Sequence, residues 1–404
     1  MFLRATSPEV FRAKKCNSSY LYTMIPKKLQ DKLEARKVEN TFRQLSKPHQ
    51  LVDFASNDYL GFSLSKEIFD LTHHYLEEAF IFQNGSSGSR LLTGNHQLYT
   101  NVEDLICDTH HCQSTLIFNS GYDANLGFFS CVPQRGDVIL YDELIHASIR
   151  DGVTMSHAKA YKFKHNDLDD LKHKYHFQQE KRAENSEVYI VTESVFSMDG
   201  DTPDLKAIAN FCTENKLYLV VDEAHAVGVF GEKGVGLVDS LGINAAVFAR
   251  LITFGKAMGC HGAAILGNPQ LTEYLINFSR PFIYTTALPP HSLMTIKAAY
   301  KTLQHTHNIE NLFENIDFFK EQVEEHQLKD HFIESASAIQ CCIISGNERV
   351  KKIAKRLEEH GFNVKPIVSP TVPKGQERLR FCIHAYNSED DILKVVSLLA
   401  TFIE

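Results

Sequence analysis

Three residues that could do chemistry together follow short apolar runs. Asp222 ends the apolar part of LYLVVDE (217–223), and His225 comes three positions later. A second run, ARLITF (249–254), is followed two residues on by Lys256. Such runs predict strands buried in a parallel sheet, and ligands of these sheets bind beyond the carboxyl ends of the strands. We therefore expect these side chains to face one ligand.

Taken alone, each of these residues has a structural explanation. A lysine at a strand end is commonly a solvated charge, and an aspartate there commonly caps a helix or forms a salt bridge. Lys256, however, lies among small and apolar residues (FGKAMG), and a desolvated lysine can form a Schiff base. A buried carboxylate such as Asp222 keeps a pyridinium nitrogen protonated. These are the two contributions that pyridoxal 5′-phosphate (PLP) chemistry requires, so the pair predicts a PLP enzyme.

Two histidines favour the same interpretation. His146 follows the apolar run of DVILYDE (137–143) and is placed to stack on a ring, and His225 is placed to hydrogen-bond a phenolate oxygen. A lone histidine is more often structural than functional. Two of them at strand ends, beside an acid and a lysine, favour a site.

A phosphate group needs backbone N–H groups at a helix N-terminus. The stretch FNSGYDANLG (118–127) offers them as a strand, a turn at Gly121 and Tyr122, and a helix. Thr253 adds a hydroxyl three residues before the lysine, and YTTALPP (284–290) adds two more. We expect the phosphate to bind here.

Three other motifs suggest different functions, but each lacks a feature that its function requires. DEAH (222–225) resembles a helicase box, but the chain has no GxxxxGK[ST] phosphate loop. GEKGVG (231–236) has the wrong glycine spacing for a dinucleotide site and follows no strand directly. His110, His111 and Cys112 are metal-type ligands, but adjacent residues cannot all face one ion, so no metal site is predicted.

Composition excludes several classes of protein. The chain has 404 residues, 43% of them apolar and 23% charged, which is typical of a globular protein of two or more domains. Its net charge of −8 lacks the basic excess that is typical of nucleic-acid-binding proteins. No apolar stretch is long enough to span a membrane. Nine cysteines without regular spacing indicate free thiols in a reducing cytoplasm.

Strands and helices alternate through the middle of the chain. The candidate strands are 114–120, 137–143, 158–164, 187–194, 217–223, 249–254 and 262–267. The helices between them are 124–130, 145–156, 167–176 and 205–214, and the charged segment 177–187 is predicted to be an exposed loop. Alternation of this kind predicts an α/β fold with a mainly parallel seven-stranded sheet and helices on both faces.

The flanking parts of the chain have other patterns. Before the sheet, we predict an amphipathic helix from residue 25 to about 46, a short strand within 51–62, a helix over 66–82 and another beginning near His96. After residue 290, a helical region (293–325), strands 339–345 and 378–385, and helices 348–360 and 388–402 predict a smaller α+β domain.

These patterns give a domain division. Residues 24–61 form an N-terminal helix and arm, 62–290 a large domain and 291–404 a small C-terminal domain. Residues 1–23 are basic with a single acid. That composition faintly suggests a transit peptide. The interpretation favoured here is a disordered extension, or a start site placed too early with Met24 as the working initiator.

The ordered motifs of the chain resemble those of the α-oxoamine synthases, which are fold-type I PLP enzymes with a large sheet domain and a smaller C-terminal domain. The matching pieces are FASNDYLGF, GSSGSRLLTGNHQLY, FNSGYDANLG, DELIHASIRDG, ESVFSMDGDTPDL, VVDEAHAVGVFGEKGVG, TFGKAMGCHGAA, FIYTTALPP and RLRFCIHA. Each is weak alone, but they occur in family order over nearly everything from residue 25 on.

The resemblance implies roles for the cofactor-binding residues. Lys256 would be the Schiff-base lysine and proton carrier, Asp222 the partner of the pyridine nitrogen, His225 the partner of the phenolate oxygen, and His146 the stacking residue. The other cofactor contacts it implies are Gly121, Tyr122, Glu193, Ser197, Thr253 and, from a second subunit, Thr285 or Thr286.

The resemblance also implies the substrates. Arg380 would hold the amino-acid carboxylate, with Arg378 as the fallback, while Asn57 lies near the substrate and Arg43 contacts the acyl group. The expected reaction is a decarboxylative condensation of a small amino acid with an acyl-CoA or acyl carrier protein thioester, in a cytoplasmic homodimer with shared active sites. Within the family, the chain is most similar to members that use L-alanine and a pimeloyl thioester in biotin biosynthesis. Glycine C-acetyltransferase or another α-oxoamine synthase is the alternative, and a cofactor-free binding protein on this fold is a further one.

Overall fold

The computed structural model describes residues 25–45, 50–181, 183 and 185–403, which fall into two compact units divided after Pro48. The predicted extension 1–23 lies outside these residues. The described strands are β1 (Val52–Asp53), β2 (Ser114–Phe118), β3 (Val138–Asp142), β4 (Lys159–Phe163), β5 (Val188–Glu193), β6 (Tyr218–Asp222), β7 (Val247–Thr253), β8 (Ala263–Gly267), β9 (Ile339–Ile343), β10 (Phe362–Asn363), β11 (Lys365–Ile367) and β12 (Arg378–Cys382).

The described residues also form helices. They are α1 (Lys27–Val38), α2 (Lys66–Glu78), α3 (Gln97–His110), α4 (Gly121–Cys131), α5 (Ala147–Met155), α6 (Leu168–Gln179), α7 (Leu205–Asn215), α8 (Leu237–Ser240), α9 (Pro269–Phe278), α10 (Arg280–Ile283), α11 (Pro290–Leu303), α12 (Asn308–Glu325), α13 (Asn347–Glu359) and α14 (Glu389–Ile403). Several begin at a side chain that accepts a hydrogen bond from the first turn, as Ser120 does for α4 and Asp204 for α7.

The predicted seven-stranded sheet is confirmed, with strand order β2-β8-β7-β6-β5-β3-β4. All neighbouring pairs are parallel except those of β8, which is antiparallel to β2 and β7. Alternate residues of each strand face opposite sides of the sheet. Accordingly, Val191 and Val220 pack in one apolar cluster while Ile190 and Leu219 pack in another. Cover on both faces explains why these strands are continuously apolar.

Four strands end in polar residues at the same edge of this sheet. Asp142, Glu193, Asp222 and Thr253 are the last residues of β3, β5, β6 and β7. Glu193 and Asp222 are register partners on neighbouring strands. The carboxyl ends of parallel strands meet at one edge of a sheet. Polar side chains that span residues 142–253 of the sequence are therefore brought together there.

Two smaller sheets lie outside the main one. Strands β11, β12 and β9 form an antiparallel sheet, and β1 pairs in parallel with β10. The first residues of the second unit are thus joined to its C-terminal part. The predicted strands 339–345 and 378–385 are confirmed in shortened form, whereas β10 and β11 were not predicted. The division at residue 290 stays a prediction.

Several helix boundaries were wrong. Helix α2 ends at Glu78 rather than 82, and the helical region 293–325 is two helices, with residues 304–307 between α11 and α12. The predicted loop 177–187 begins inside α6, which continues to Gln179. Helix α1 ends at Val38, well before residue 46, and every residue in it is exposed, so the predicted amphipathic face buries nothing within that unit. Helix ends are weakly encoded because adjacent turns differ little in intrinsic stability.

No helix of the described residues combines the length and the apolar character that a bilayer crossing requires.

Candidate active site

A cavity of about 170 Å³ lies at the polar edge of the sheet. It contains seven of the residues predicted from sequence, together with residues that were not predicted. Its lining residues are Gly121, Tyr122, Asn125, His146, Ser148, Glu193, Asp222, Ala224, Leu251, Ile252, Thr253 and Lys256.

Asp222 is fixed at the floor of this cavity. Its Oδ1 accepts a hydrogen bond from the Ala224 N–H at 2.9 Å, and its Oδ2 accepts one from Asn125 Nδ2 at 2.8 Å. Asn125 also donates to Ser148 Oγ at 3.0 Å, and its own amide oxygen is buried without a partner among the described residues. A carboxylate held in this way can face a cationic ring nitrogen without rotating away from it.

The amine of Lys256 contacts the imidazole of His225, with 2.7 Å between Nζ and Nε2. Burial lowers the pKa of Lys256 to about 8, although the nearby Asp222 and Glu193 carboxylates raise it. The residue as a whole is only half-buried, so this value describes the enclosed amine at its tip. Burial, followed by the charge of Lys256, lowers the pKa of His225 as well. A neutral imidazole therefore receives the amine's hydrogen bond.

The other nitrogen of His225 is held by Tyr59. Its Nδ1 lies 2.8 Å from the Tyr59 hydroxyl, and that hydroxyl donates to Asn57 Oδ1 at 3.2 Å. Because Nε2 accepts from Lys256, the Nδ1–H must donate to Tyr59. Tyr59 is almost completely buried, so the arrangement is shielded from water.

Glu193 and His146 form the opposite wall. The His146 N–H donates to Glu193 Oε1, and His146 Nδ1 lies 2.7 Å from Ser148 Oγ. Burial, together with the neighbouring Asp222 carboxylate, raises the pKa of Glu193. Burial lowers the pKa of His146, which presents a neutral ring to the cavity. Glu193 thus supports the position of His146.

The first turn of α4 offers a binding site for an anion. Ser120 caps the helix by accepting from the Asp123 N–H at 3.1 Å, which leaves the N–H groups of Gly121 and Tyr122 at the positive end of the helix. A Cβ placed on Gly121 would lie 3.6 Å from Thr253 Oγ1, so this hydroxyl borders the same spot. The arrangement suits a phosphate.

Thr285 and Thr286 do not line the cavity of their own chain. Asn119 Nδ2 lies 3.1 Å from Thr285 Oγ1 and donates to the Thr286 carbonyl at 2.7 Å. Their predicted contribution to a second subunit stays a prediction.

Arg380 and Arg378 have different partners. The Arg378 guanidinium forms a buried ion pair with Asp199. That of Arg380 donates to the Ser197 carbonyl at 2.7 Å and to Asn57 Oδ1 at 3.0 Å, both of them neutral acceptors. Its charge remains available to a carboxylate, so Arg380 is the better candidate for one. Asn57 joins it to Tyr59, although Asn57 and Ser197 do not line the cavity.

Arg43 lies after α1 in the first unit, where it is exposed, and its predicted contact with an acyl group stays a prediction.

The metal-type residues have other partners. His110 hydrogen-bonds the Val235 carbonyl and the Tyr300 hydroxyl, and His111 pairs with Asp239. Among the described residues, His165, Asp199 and Asp201 also bring possible ligand atoms within 4.8 Å of one another. Both nitrogens of His165 are engaged, however, by Asp142 and Asp201, while Asp199 pairs with Arg378. That cluster is an ion-pair network.

Sequence reasoning missed Tyr59, Asn125 and Ser148. Tyr59 belongs to the motif FASNDYLGF and Asn125 to FNSGYDANLG, so both lie in motifs that carry the family resemblance. Ser148 is two residues after His146, a spacing at which a hydroxyl can reach the imidazole. Nothing in the local pattern showed which partner each would find, because the contacts of Tyr59 and Asn125 are 166 and 97 residues away.

The donor set fits PLP. A helix N-terminus with a threonine hydroxyl matches the phosphate, a fixed carboxylate matches the pyridine nitrogen, and an amine of lowered pKa matches the aldehyde. The unpaired amide oxygen of Asn125 further indicates that this part of the cavity is built for a polar ligand.

Comparison with known sequences identifies the family. The sequence pattern of aminotransferase class I and II matches residues 49–399. The chain is 39% identical over 383 residues to the 8-amino-7-oxononanoate synthase of Emericella nidulans, and the match covers 88% of this chain and 90% of that protein.

Solved structures share the fold. The crystal structure of 8-amino-7-oxononanoate synthase from Francisella tularensis matches with a TM-score of 0.73 and 28% identity, covering 87% of this chain and 97% of that one. A structure of SPT with PLP matches with a TM-score of 0.81 and 25% identity, covering 93% and 96%. The fold-type I architecture expected from sequence is confirmed.

Proposed function

The chain belongs to the aminotransferase class I and II family, and we propose that it is a PLP-dependent 8-amino-7-oxononanoate synthase. In the proposed reaction, L-alanine condenses with a pimeloyl thioester to give 8-amino-7-oxononanoate, CO2 and free thiol, as a step of biotin biosynthesis. The observation that carries the proposal is the 2.7 Å contact between Lys256 Nζ and His225 Nε2, beside the cavity that Asp222 lines.

When bound, PLP supplies a ring that withdraws electrons from the substrate Cα. Lys256 is the residue that can take and return the Cα proton, because its lowered pKa leaves a sizeable neutral fraction near neutral pH. His225 holds the amine through Nε2 and so aims it into the cavity. Asp222 would keep the ring nitrogen of the cofactor protonated through its fixed negative charge.

Arg380 is proposed to bind the carboxylate of the amino acid. Its hydrogen bond to Asn57, followed by those of Tyr59 and His225, links the guanidinium to Lys256. This chain of hydrogen bonds fixes the spacing between the group that holds the substrate and the group that moves its proton. A fixed spacing favours catalysis because less orientational entropy is lost at the reactive step.

A homodimer with shared active sites is also part of the proposal. Strongly exposed apolar side chains occur at Phe80, Phe82 and Leu92 and at Tyr284. These two segments are adjacent, since Ala287 N donates to the Gly88 carbonyl at 3.0 Å. An exposed apolar patch beside Thr285 and Thr286 suits an interface that delivers these hydroxyls to a partner's cavity.

A cytoplasmic location completes the proposal. The eight cysteines of the described residues are all free thiols, which is typical of a reducing compartment.

A substrate panel tests the function. Purified holoenzyme is given each of L-alanine, glycine and L-serine with pimeloyl-CoA, acetyl-CoA, palmitoyl-CoA or pimeloyl carrier protein, and thiol release is measured. We expect the highest kcat/KM with L-alanine and one of the pimeloyl donors. Preference for glycine with acetyl-CoA would instead identify a glycine C-acetyltransferase, and protein that takes up no PLP would contradict both.

A further inference from the structure

Two cysteines outside the active site are brought together by the end of α3. His111 takes the left-handed conformation, with φ 50° and ψ 45°, and the Cys112 N–H donates to the Cys107 carbonyl at 3.1 Å. This hydrogen bond spans six residues and is typical of a helix C-terminus that ends in a left-handed residue. Such an end brings the side chains of the first and sixth residues, here Cys107 and Cys112, close together. The two thiols accordingly lie close enough together to contact one hydroxyl group, that of Thr115.

A third group holds both sulfur atoms. Thr115 Oγ1 lies 3.1 Å from Cys107 Sγ and 3.3 Å from Cys112 Sγ. The Cys107 hydrogen bond lowers the pKa of Cys112 to about 7, and Thr115 and the guanidinium of Arg250 lower it further against the effect of burial. The hydrogen bond to Cys112, together with burial, raises the pKa of Cys107. Cys112 is thus the attacking thiol and Cys107 the resolving thiol.

The nucleophile can be reached from solvent. Cys112 is half-buried and lines a cavity of about 600 Å³ together with His111, Gln113, Asn244 and Arg250. Burial raises the pKa of the other half-buried thiols outside this pair, Cys131 and Cys260. Neither of these has a low pKa, so oxidation is expected to be selective for Cys112.

We propose that Cys107 and Cys112 form a reversible redox dithiol, a modification site that accepts oxidising equivalents from small disulfides of the glutathione type. The Cys112 thiolate attacks one sulfur of the disulfide RSSR, forms a mixed disulfide and releases RS⁻. Cys107 then attacks the Cys112 sulfur and releases the second RS⁻, which takes the proton of Cys107, while the first RS⁻ takes the proton that Cys112 gave to solvent on ionising. Two protein thiols lose two electrons and RSSR becomes two RSH.

Thiol mapping of the holoenzyme tests this proposal. The protein is treated with glutathione disulfide, alkylated with iodoacetamide and digested with chymotrypsin, which leaves both cysteines in the peptide 106–116. We expect this peptide to lose both alkylation sites and two hydrogens, with full reversal by dithiothreitol. Oxidation of Cys112 should be at least about tenfold faster than that of Cys131 or Cys260.

Variants separate the two roles. Cys107→Ser should accumulate a lasting glutathione adduct on Cys112, Cys112→Ser should leave Cys107 unmodified, and the matched control Cys131→Ser should oxidise like the parent. A parent protein in which the 106–116 peptide stays fully alkylatable while Cys131 is oxidised would overturn the proposal. So would an adduct on Cys107 in Cys112→Ser. The parent measurement needs no variant, so a misfolded variant does not weaken the test.

Discussion

Lys256 is the residue with the most direct role in the proposed reaction. Replacing it with alanine removes the amine that moves the Cα proton, and we expect kcat to fall by at least about 10²–10⁴-fold. Thiol release with L-alanine and a pimeloyl thioester measures the change. Lys320→Ala, at an exposed position, is the control and should keep the parent rate. A Lys256→Ala protein that turned over like the parent would refute the assigned role.

Tyr59 sets the orientation of His225 without lining the cavity. In Tyr59→Phe the His225 Nδ1–H loses its partner, and we expect kcat to fall about tenfold with a smaller change in KM for the amino acid. Tyr300→Phe is a matched control, because this buried tyrosine hydroxyl lies 2.7 Å from His110 Nε2 outside the site. It should lower stability and leave kcat unchanged. Equal losses of kcat in both variants would mean that Tyr59 is only structural.

Arg380 and Arg378 differ in what their charges face. Arg380→Lys loses the planar guanidinium that grips a carboxylate, and we expect KM for the amino acid to rise by about tenfold or more. Arg378→Lys weakens the pair with Asp199, so it should lower the melting temperature with little effect on KM. Steady-state kinetics and thermal unfolding of both variants decide the assignment. The reverse pattern would assign the carboxylate to Arg378.

At the scale of elements, His165 joins the end of β3 to the segment between β5 and α7. Its ring contacts Asp142 at 2.9 Å and, beyond β5, Asp201 at 2.8 Å. Burial lowers the pKa of His165, but these two carboxylates outweigh it and raise the pKa to about 10. The imidazolium therefore holds the segment that follows β5 against the end of β3, one of the strands whose ends form the polar edge of the sheet.

This network predicts a pH-dependent stability. A folded pKa raised above the ordinary 6.5 contributes stability that is complete below about pH 6.5 and is lost as pH rises through about 10. His165→Gln should lower the free energy of unfolding by about 3 kcal/mol near pH 6, and the deficit should shrink toward pH 10. Urea unfolding across this range measures it, with exposed His173→Gln as the control. A deficit that does not change with pH would show that His165 is neutral.

At the scale of the whole molecule, the proposed homodimer has a test of its own. Lys256→Ala protein is inactive by the first prediction. A Thr285→Glu/Thr286→Glu protein should also be inactive, because carboxylates would repel the bound phosphate. If the threonines reach a partner's cavity, mixed dimers contain one site with both defects and one with neither. Refolding the two proteins together should then restore up to about a quarter of the parent activity, since half of the dimers are mixed.

The mixing experiment has two controls. Each variant refolded alone should remain inactive, and light scattering should show that the mixture is dimeric. A dimeric mixture without recovered activity would mean that each site of a mixed dimer carries one defect, and would contradict the sharing.

The sequence by itself determined the sheet and its chemistry at strand ends. All seven strands of the large sheet were predicted, because strands buried on both faces are continuously apolar and leave a strong local signal. Asp222 and Thr253 could be placed beside Lys256 from position alone, since parallel strands share an edge, whereas Glu193 came from the family resemblance. The resemblance to the α-oxoamine synthases added the cofactor and the substrate class.

Only the tertiary structure decided which side chains meet. Arg380 and Asn57 are 323 residues apart, and Tyr59 and His225 are 166 apart, so no local pattern could pair them. That Arg378 is paired with a carboxylate while Arg380 is not depends on Asp199, whose contact with Arg378 spans 179 residues. Strand and helix formation depends on nearby residues, whereas the partner of a buried polar group is set by chain folding, because every such group must find a partner wherever the fold places it.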